Sequence, residues 1–318
     1  MNFKTGELSD TEYRYLRHKA KEINEKRELS FFKNPEALRA SAEMCGDKPQ
    51  ISDEWTKLVW YGEACGGKVV RFRAGSPYLP KEGKRKGFDG KSEAEREAER
   101  LSNSLSRTKR RIFEIAACNS WQWFWTGTLD GEKCDRNDLN GTFKRLSQFL
   151  RDYRKGQSGD RLTYLIVPEQ HKDGAWHFHG LFNGISEEEL KKFTLDDYIP
   201  ERIRKTIENG TDVFEWQAYS KRFGYTTLTE VKSHEAVSKY VTKYITKDMC
   251  QANVGSGRHL YYASQGLNKP VTLCEGHTVN GVPSVDYMND YVGCRSVATA
   301  DEMKAIAAQY FEREISVP

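Results

Sequence analysis

Two histidines one residue apart, His177 and His179, stand in the stretch Trp176-His177-Phe178-His179-Gly180-Leu181-Phe182. Its strict alternation predicts a β-strand, and in a strand residues two apart share a face. His177 and His179 then offer neighbouring imidazoles on one side, while Trp176, Phe178 and Phe182 take the other. Paired imidazoles on a rigid strand suit a divalent metal. The same pattern also describes two polar positions on a half-solvated sheet, so further residues must decide.

A catalytic metal wants a third protein ligand. The segment before the His-x-His strand supplies Glu169, Gln170 and His171, and Asp173-Gly174 marks a β-hairpin between the two. A two-residue loop would set Gln170 opposite His177. A three-residue loop Lys172-Asp173-Gly174 would set Glu169 there. Three-residue loops favour a left-handed last residue, which Gly174 supplies, and an anionic ligand suits a hard cation. Glu169 is therefore chosen, with Gln170 as the alternative. One carboxylate beside two imidazoles fits Mg²⁺ or Mn²⁺ acting on a phosphate. It also fits Fe(II) in a two-His, one-carboxylate oxygenase.

A nucleophile is on offer in Tyr240-Val241-Thr242-Lys243-Tyr244-Ile245-Thr246-Lys247. Ser233 can cap a helix here, and Val237, Val241 and Ile245 recur at four-residue steps as its inward stripe. On a helix, Tyr240, Lys243, Tyr244 and Lys247 fall within about a 100° arc. Half-buried tyrosines with snorkelling lysines would look the same. Yet Tyr-x-x-Lys occurs twice in register. A phenol can attack a phosphodiester and hold the cut strand, with a lysine to stabilise the charge.

The elements that must position these groups are legible in outline. Ser92 with Glu95 forms a capping box, and Ala94, Ala98, Leu101, Leu105, Ile112 and Ile115 mark a long amphipathic helix reaching about Cys118. Its late turns carry Arg107, Lys109, Arg110 and Arg111, either a solvated face or a contact with a nucleic-acid backbone. Residues 121–129 are an aromatic strand, 138–155 a second helix ended by Gly156, and 162–167 the strand entering the hairpin. Residues 186–209 are expected to be helical in two pieces, and 213–231 a hairpin around Arg222-Phe223-Gly224-Tyr225. Arg258 and Tyr261 lie in a turn leading to an aromatic strand, a pattern suited to stacking unpaired bases. Strand, helix and hairpin in this order point to an α+β fold with an antiparallel sheet. The division expected is an N-terminal mixed α/β extension over 1–90, a core over 91–270, and a C-terminal extension over 271–318 with a terminal helix.

Bulk composition narrows the class. With 318 residues and 37% hydrophobic, the chain can bury a large core; a net charge of +4 does not itself demand a nucleic-acid partner. No apolar run can span a bilayer, the N-terminus lacks a signal-peptide pattern, and seven scattered cysteines without Cys-x-x-Cys fit a reducing cytosol. Gly90-Lys91-Ser92 resembles the end of a phosphate-binding loop, but Arg85 stands where that loop needs glycine.

The set as a whole resembles the HUH endonucleases. His-hydrophobic-His on a strand, a carboxylate eight residues earlier, and Tyr-x-x-Lys on a later helix carry the resemblance. The doubled Tyr240/Lys243 and Tyr244/Lys247 look like the rolling-circle replication initiators of bacteriophages and plasmids. Trp125-Thr126-Gly127-Thr128-Leu129-Asp130 sits at the family's first motif, with Gly127 interrupting it. The likeness covers about residues 105 to 270. It implies a ferredoxin- or RRM-like sheet of about five antiparallel strands with flanking helices. It implies Mg²⁺ or Mn²⁺ on Glu169, His177 and His179, nucleophiles Tyr240 and Tyr244, and auxiliary cations Lys243 and Lys247. The implied reaction nicks and rejoins single-stranded or hairpin origin DNA through a 5′-phosphotyrosine, in the cytoplasm of a bacterial host. A helicase and a polymerase are expected as partners by analogy. A transposase of the same class would share every motif.

Overall fold

The computed structural model describes residues 54–73, 92–156, 161–171, 173–233, 260–288 and 292–318, together with His18. These fall into two compact units. One draws on Arg107–Asn268, the other on the described parts of Arg14–Ser106 and on Lys269–Pro318. The divisions expected from the sequence lay at 90 and 270 instead.

The first unit is α+β with an antiparallel sheet. Its strands are β3 (Trp123–Thr128), β4 (Thr163–Gln170), β5 (Trp176–Asn183), β6 (Leu190–Lys192), β7 (Val213–Trp216), β8 (Thr226–Glu230) and β9 (Tyr262–Ala263). They are ordered β6-β7-β8-β3-β5-β4-β9, and each neighbouring pair is antiparallel. The resemblance implied about five strands; the two more are the short edges β6 and β9.

Alternation along β3 and β5 sends bulky residues to opposite faces of this sheet. On one face Trp125, Phe178, Phe182 and Trp216 pack against Leu146, Phe149 and Leu150 of helix α2 (Leu139–Gly156). On the other, Leu165, Val167 and Leu181 pack against Ile112, Ile115 and Ala116 of helix α1 (Glu93–Ala117). Helix α1 begins where its capping box predicts. The Ser92 amide donates to Glu95 Oε2 at 2.8 Å, and the Glu95 amide donates to Ser92 Oγ at 3.2 Å.

One expectation fails. Of the two helical pieces expected over 186–209, only the second forms, as α3 (Glu201–Glu208). The first becomes a 3-10 turn, Glu187–Glu189, running into β6, which pairs with β7. Its Glu and Lys residues favour helix weakly. Edge pairing and a bond from Trp216 Nε1 to Glu189 Oε2 at 3.0 Å override that preference. The expected hairpin over 213–231 does form, with the short helix α4 (Gln217–Ser220) at its bend.

The second unit joins strands distant in sequence. β1 (Trp55–Gly62) and β2 (Gly66–Phe72) pair with β10 (Val271–His277), β11 (Tyr287–Met288) and β12 (Val292–Val297) in the order β10-β1-β2-β12-β11. Helix α5 (Ala300–Phe311) sets Met303, Ile306, Ala307 and Phe311 against Leu58, Trp60, Val69 and Val297 on one face. The buried Arg71 donates through Nε and Nη2 to Glu54 Oε2, at 2.9 and 2.6 Å, and through Nη1 to the Pro283 carbonyl at 2.9 Å. Among the described residues, no helix is long and apolar enough to cross a membrane.

Candidate metal centre

The hairpin of β4 and β5 brings the first group of residues together. The His171 amide donates to the Ala175 carbonyl at 2.8 Å, which leaves a three-residue loop, and Gly174 closes it at φ +88°. Only glycine takes that left-handed conformation without strain. The register follows: Glu169 lies opposite His177, and Gln170 opposite Trp176. Gln170 is turned back, its Nε2 donating to the Gly174 carbonyl at 3.0 Å. Glu169 Oε2 lies 2.5 Å from His179 Nε2 in a hydrogen bond.

Strand β3 backs both histidines. It pairs Thr128 with His177 and Thr126 with His179. Each threonine hydroxyl lies 3.3 Å from the Nδ1 of its histidine. A hydroxyl can donate or accept, so it holds either ring tautomer. With Nδ1–H donating to threonine, the Nε2 lone pair is left for a cation, the arrangement that orients metal-bound imidazoles. The ring of Phe124 stacks beside His179 at 6.3 Å.

His177 is half-buried, and its ring stacks on the exposed His171 with centroids 3.8 Å apart. Burial first, and then the neighbouring His171 and His179, pull its pKa down to about 4. It is therefore a neutral imidazole near neutral pH, the form that ligates metals. Among the described residues, no three His, Cys, Asp or Glu side chains converge as a formed metal cluster. The Glu169–His179 pair is in place, and His177 is turned toward His171. The donor set, with threonines behind both rings, fits a divalent cation by its chemistry.

Gly127 explains its own departure from the family's first motif. A Cβ there would overlap the Trp125 indole and the Tyr219 hydroxyl. That indole is pinned, since Trp125 Nε1 donates to Thr226 Oγ1 at 2.7 Å. Gly127→Ala is expected to destabilise the first unit by about 1–3 kcal/mol through overpacking. Denaturant unfolding followed by tryptophan fluorescence measures it; an unchanged midpoint would refute the packing account.

The remaining sequence candidates separate. Tyr240, Lys243, Tyr244, Lys247 and Arg258 lie outside the described residues. On α1, Arg110 and Arg111 share Glu114, at 2.8 and 3.5 Å, so this part of the basic run pairs within its own helix. Arg107 is exposed and Lys109 half-exposed on the same helix. Tyr261 is half-buried against the α1 side of the sheet. Sequence reasoning missed the part played by the Thr126 and Thr128 hydroxyls and by His171. Their signal was the equal parity of two strands, readable only once β3 is known to pair with β5.

This is an α+β unit whose central strands carry a carboxylate and two buttressed imidazoles on one face. Over residues 122–249 the chain is similar to a protein-family model described as replication-associated protein, of the ORF2 type, which supports a Rep-like, replication-associated protein. The matched span holds β3, Glu169, both histidines and the Tyr240–Lys247 stretch. No curated protein and no solved structure matches.

Thr126→Val removes the hydroxyl behind His179 while keeping the side chain's shape. It is expected to weaken Mn²⁺ binding by about ten- to a hundredfold, the usual cost of losing an orienting partner. Titration calorimetry reads this directly, and unchanged affinity would mean the threonine orients nothing that binds metal.

Proposed function

We propose that this chain initiates rolling-circle replication by nicking and rejoining single-stranded origin DNA. The observation that carries the reading is Glu169, set by register opposite His177 and hydrogen-bonded to His179, inside the span similar to replication-associated proteins. Glu169, His177 and His179 would hold Mg²⁺ or Mn²⁺, whose charge polarises the scissile phosphate. The phenol oxygen of Tyr240 or Tyr244 attacks phosphorus as the bond to the 3′ oxygen breaks. The phenol proton leaves through solvent, and a proton returns to the departing oxygen. The products are a 5′-phosphotyrosine and a free 3′-OH that a polymerase can extend. Lys243 and Lys247 stabilise the phenolate and the phosphate charge. Attack by that 3′-OH on the phosphotyrosine reverses the step and reseals a strand, and a second tyrosine lets cutting and joining alternate. The partners are origin DNA and a separate helicase.

The test is incubation of the protein with single-stranded origin DNA and Mn²⁺, followed by a denaturing gel. A protein–DNA adduct that survives denaturation is expected. Failure to form one on any DNA of its own replicon would overturn the reading.

A further inference from the structure

We propose that the second unit carries a stacking platform for single-stranded DNA on the face of its sheet opposite α5. Register defines this face, because directly opposed residues in antiparallel strands share a side. His277, Trp55 and Phe72 form one row across β10, β1 and β2. Glu275, Lys57, Val70, Cys294 and Tyr287 form the next, across all five strands. Val59, Lys68 and Ser296 form a third.

Four features single the face out. The core against α5 is built from the alternate residues, and among the described residues Trp55, Val59, Val70 and Phe72 join no apolar core cluster. Aromatic rings nonetheless stand on it: Trp55 is half-buried, and Tyr287 is 54% exposed. Lysines are interleaved with them. Lys68 Nζ sits 5.9 Å from the Tyr61 ring centroid, and Lys57 lies between Glu275, which it pairs at 3.3 Å, and Val70. The Trp55 ring is steadied edge-on by His277 at 5.3 Å.

Aromatic rings and lysines spread over an open antiparallel sheet match the chemistry of unpaired bases on a phosphate backbone. Bases stack on the rings, and the ammonium groups meet phosphates. A protein partner would want the apolar core of the patch free of lysine. The choice of DNA over RNA rests on the replication reading; the platform itself does not. Its consequence is that strand displaced from the nick is held by β1, β2 and β11 rather than by the nicking unit.

The test uses the full chain and a short oligo(dT) containing 5-iododeoxyuridine and no origin sequence. After irradiation, cross-linked peptides are mapped. Cross-links at Trp55, Tyr61, Phe72 or Tyr287 are expected. Tyr287→Ala removes an exposed ring and no core contact, and Lys68→Glu reverses one charge. Each is expected to lower oligo(dT) binding roughly tenfold, the lower range for one lost stacking or phosphate contact. Cross-links confined to residues 107–268 would overturn the proposal, as would unchanged affinity in both variants. Tighter binding of oligo(rU) would overturn the assignment to DNA. The adduct assay on origin DNA is scored separately. An adduct without cross-links on this face sinks the platform and leaves the nuclease; cross-links without an adduct do the reverse.

Discussion

Replacing both Tyr240 and Tyr244 with phenylalanine is expected to abolish the covalent protein–DNA adduct while leaving non-covalent binding of the same DNA within a few-fold of wild type. The substitution removes two oxygens and nothing else, so the loss reports nucleophilicity rather than fold. The single variants divide the work. If one tyrosine makes the first cut, its single variant loses the adduct and the other retains it. If the two are interchangeable, each single variant keeps roughly half the adduct, and only strand rejoining falls sharply. Peptide mapping of the wild-type adduct identifies the acceptor. An adduct that survives the double substitution, on a serine or on another tyrosine, would refute the assignment.

The second large effect concerns the carboxylate. Glu169→Ala is expected to lower Mn²⁺-dependent cleavage at least about 100-fold, more than loss of an orienting partner costs. Gln170→Ala is expected to leave cleavage within about threefold. The contrast follows from the hairpin: Glu169 faces the histidines, whereas Gln170 donates to the Gly174 carbonyl and braces the loop. Losing that brace removes one neutral hydrogen bond, about 1 kcal/mol of stability. Cleavage rates on single-stranded origin DNA, measured across a Mn²⁺ titration, separate a lost ligand from a lost fold. Saturating metal restores a weakened site but not an absent catalyst. Equal losses in the two variants would place the metal elsewhere.

The local parts of this structure were legible in the sequence. Asp173-Gly174 and the alternation around it specified a hairpin, and the conformational need at Gly174 selected its length. Ser92 and Glu95 marked a helix start that the structure keeps. What could not be read was non-local. No periodicity in β1 and β2 says that they will pair with strands some two hundred residues on, so the second sheet was divided between two supposed extensions. Thr126 and Thr128 carry no spacing signal of their own. They became partners of the histidines only through the β3–β5 pairing. At β6, three residues with modest helix preference were decided by an edge they could join. Gly127 read as a defect in a motif because the ring that needs its space, Trp125, lies on its own strand and folds back over it.

The loop that closes β4 onto β5 has a bearing on how such a protein can evolve. Side chains alternate along a strand, so adding or removing one residue there shifts every partner of β4 by one. Glu169 would turn to the α2 side and Gln170 would take its place opposite His177. Substitutions at the exposed Asp173 change little that the site can feel. Selection can therefore let the letters of this turn drift among descendants while purging every insertion or deletion of a single codon. Lineages that did cross to another loop length would have to carry their acidic residue one position along the strand.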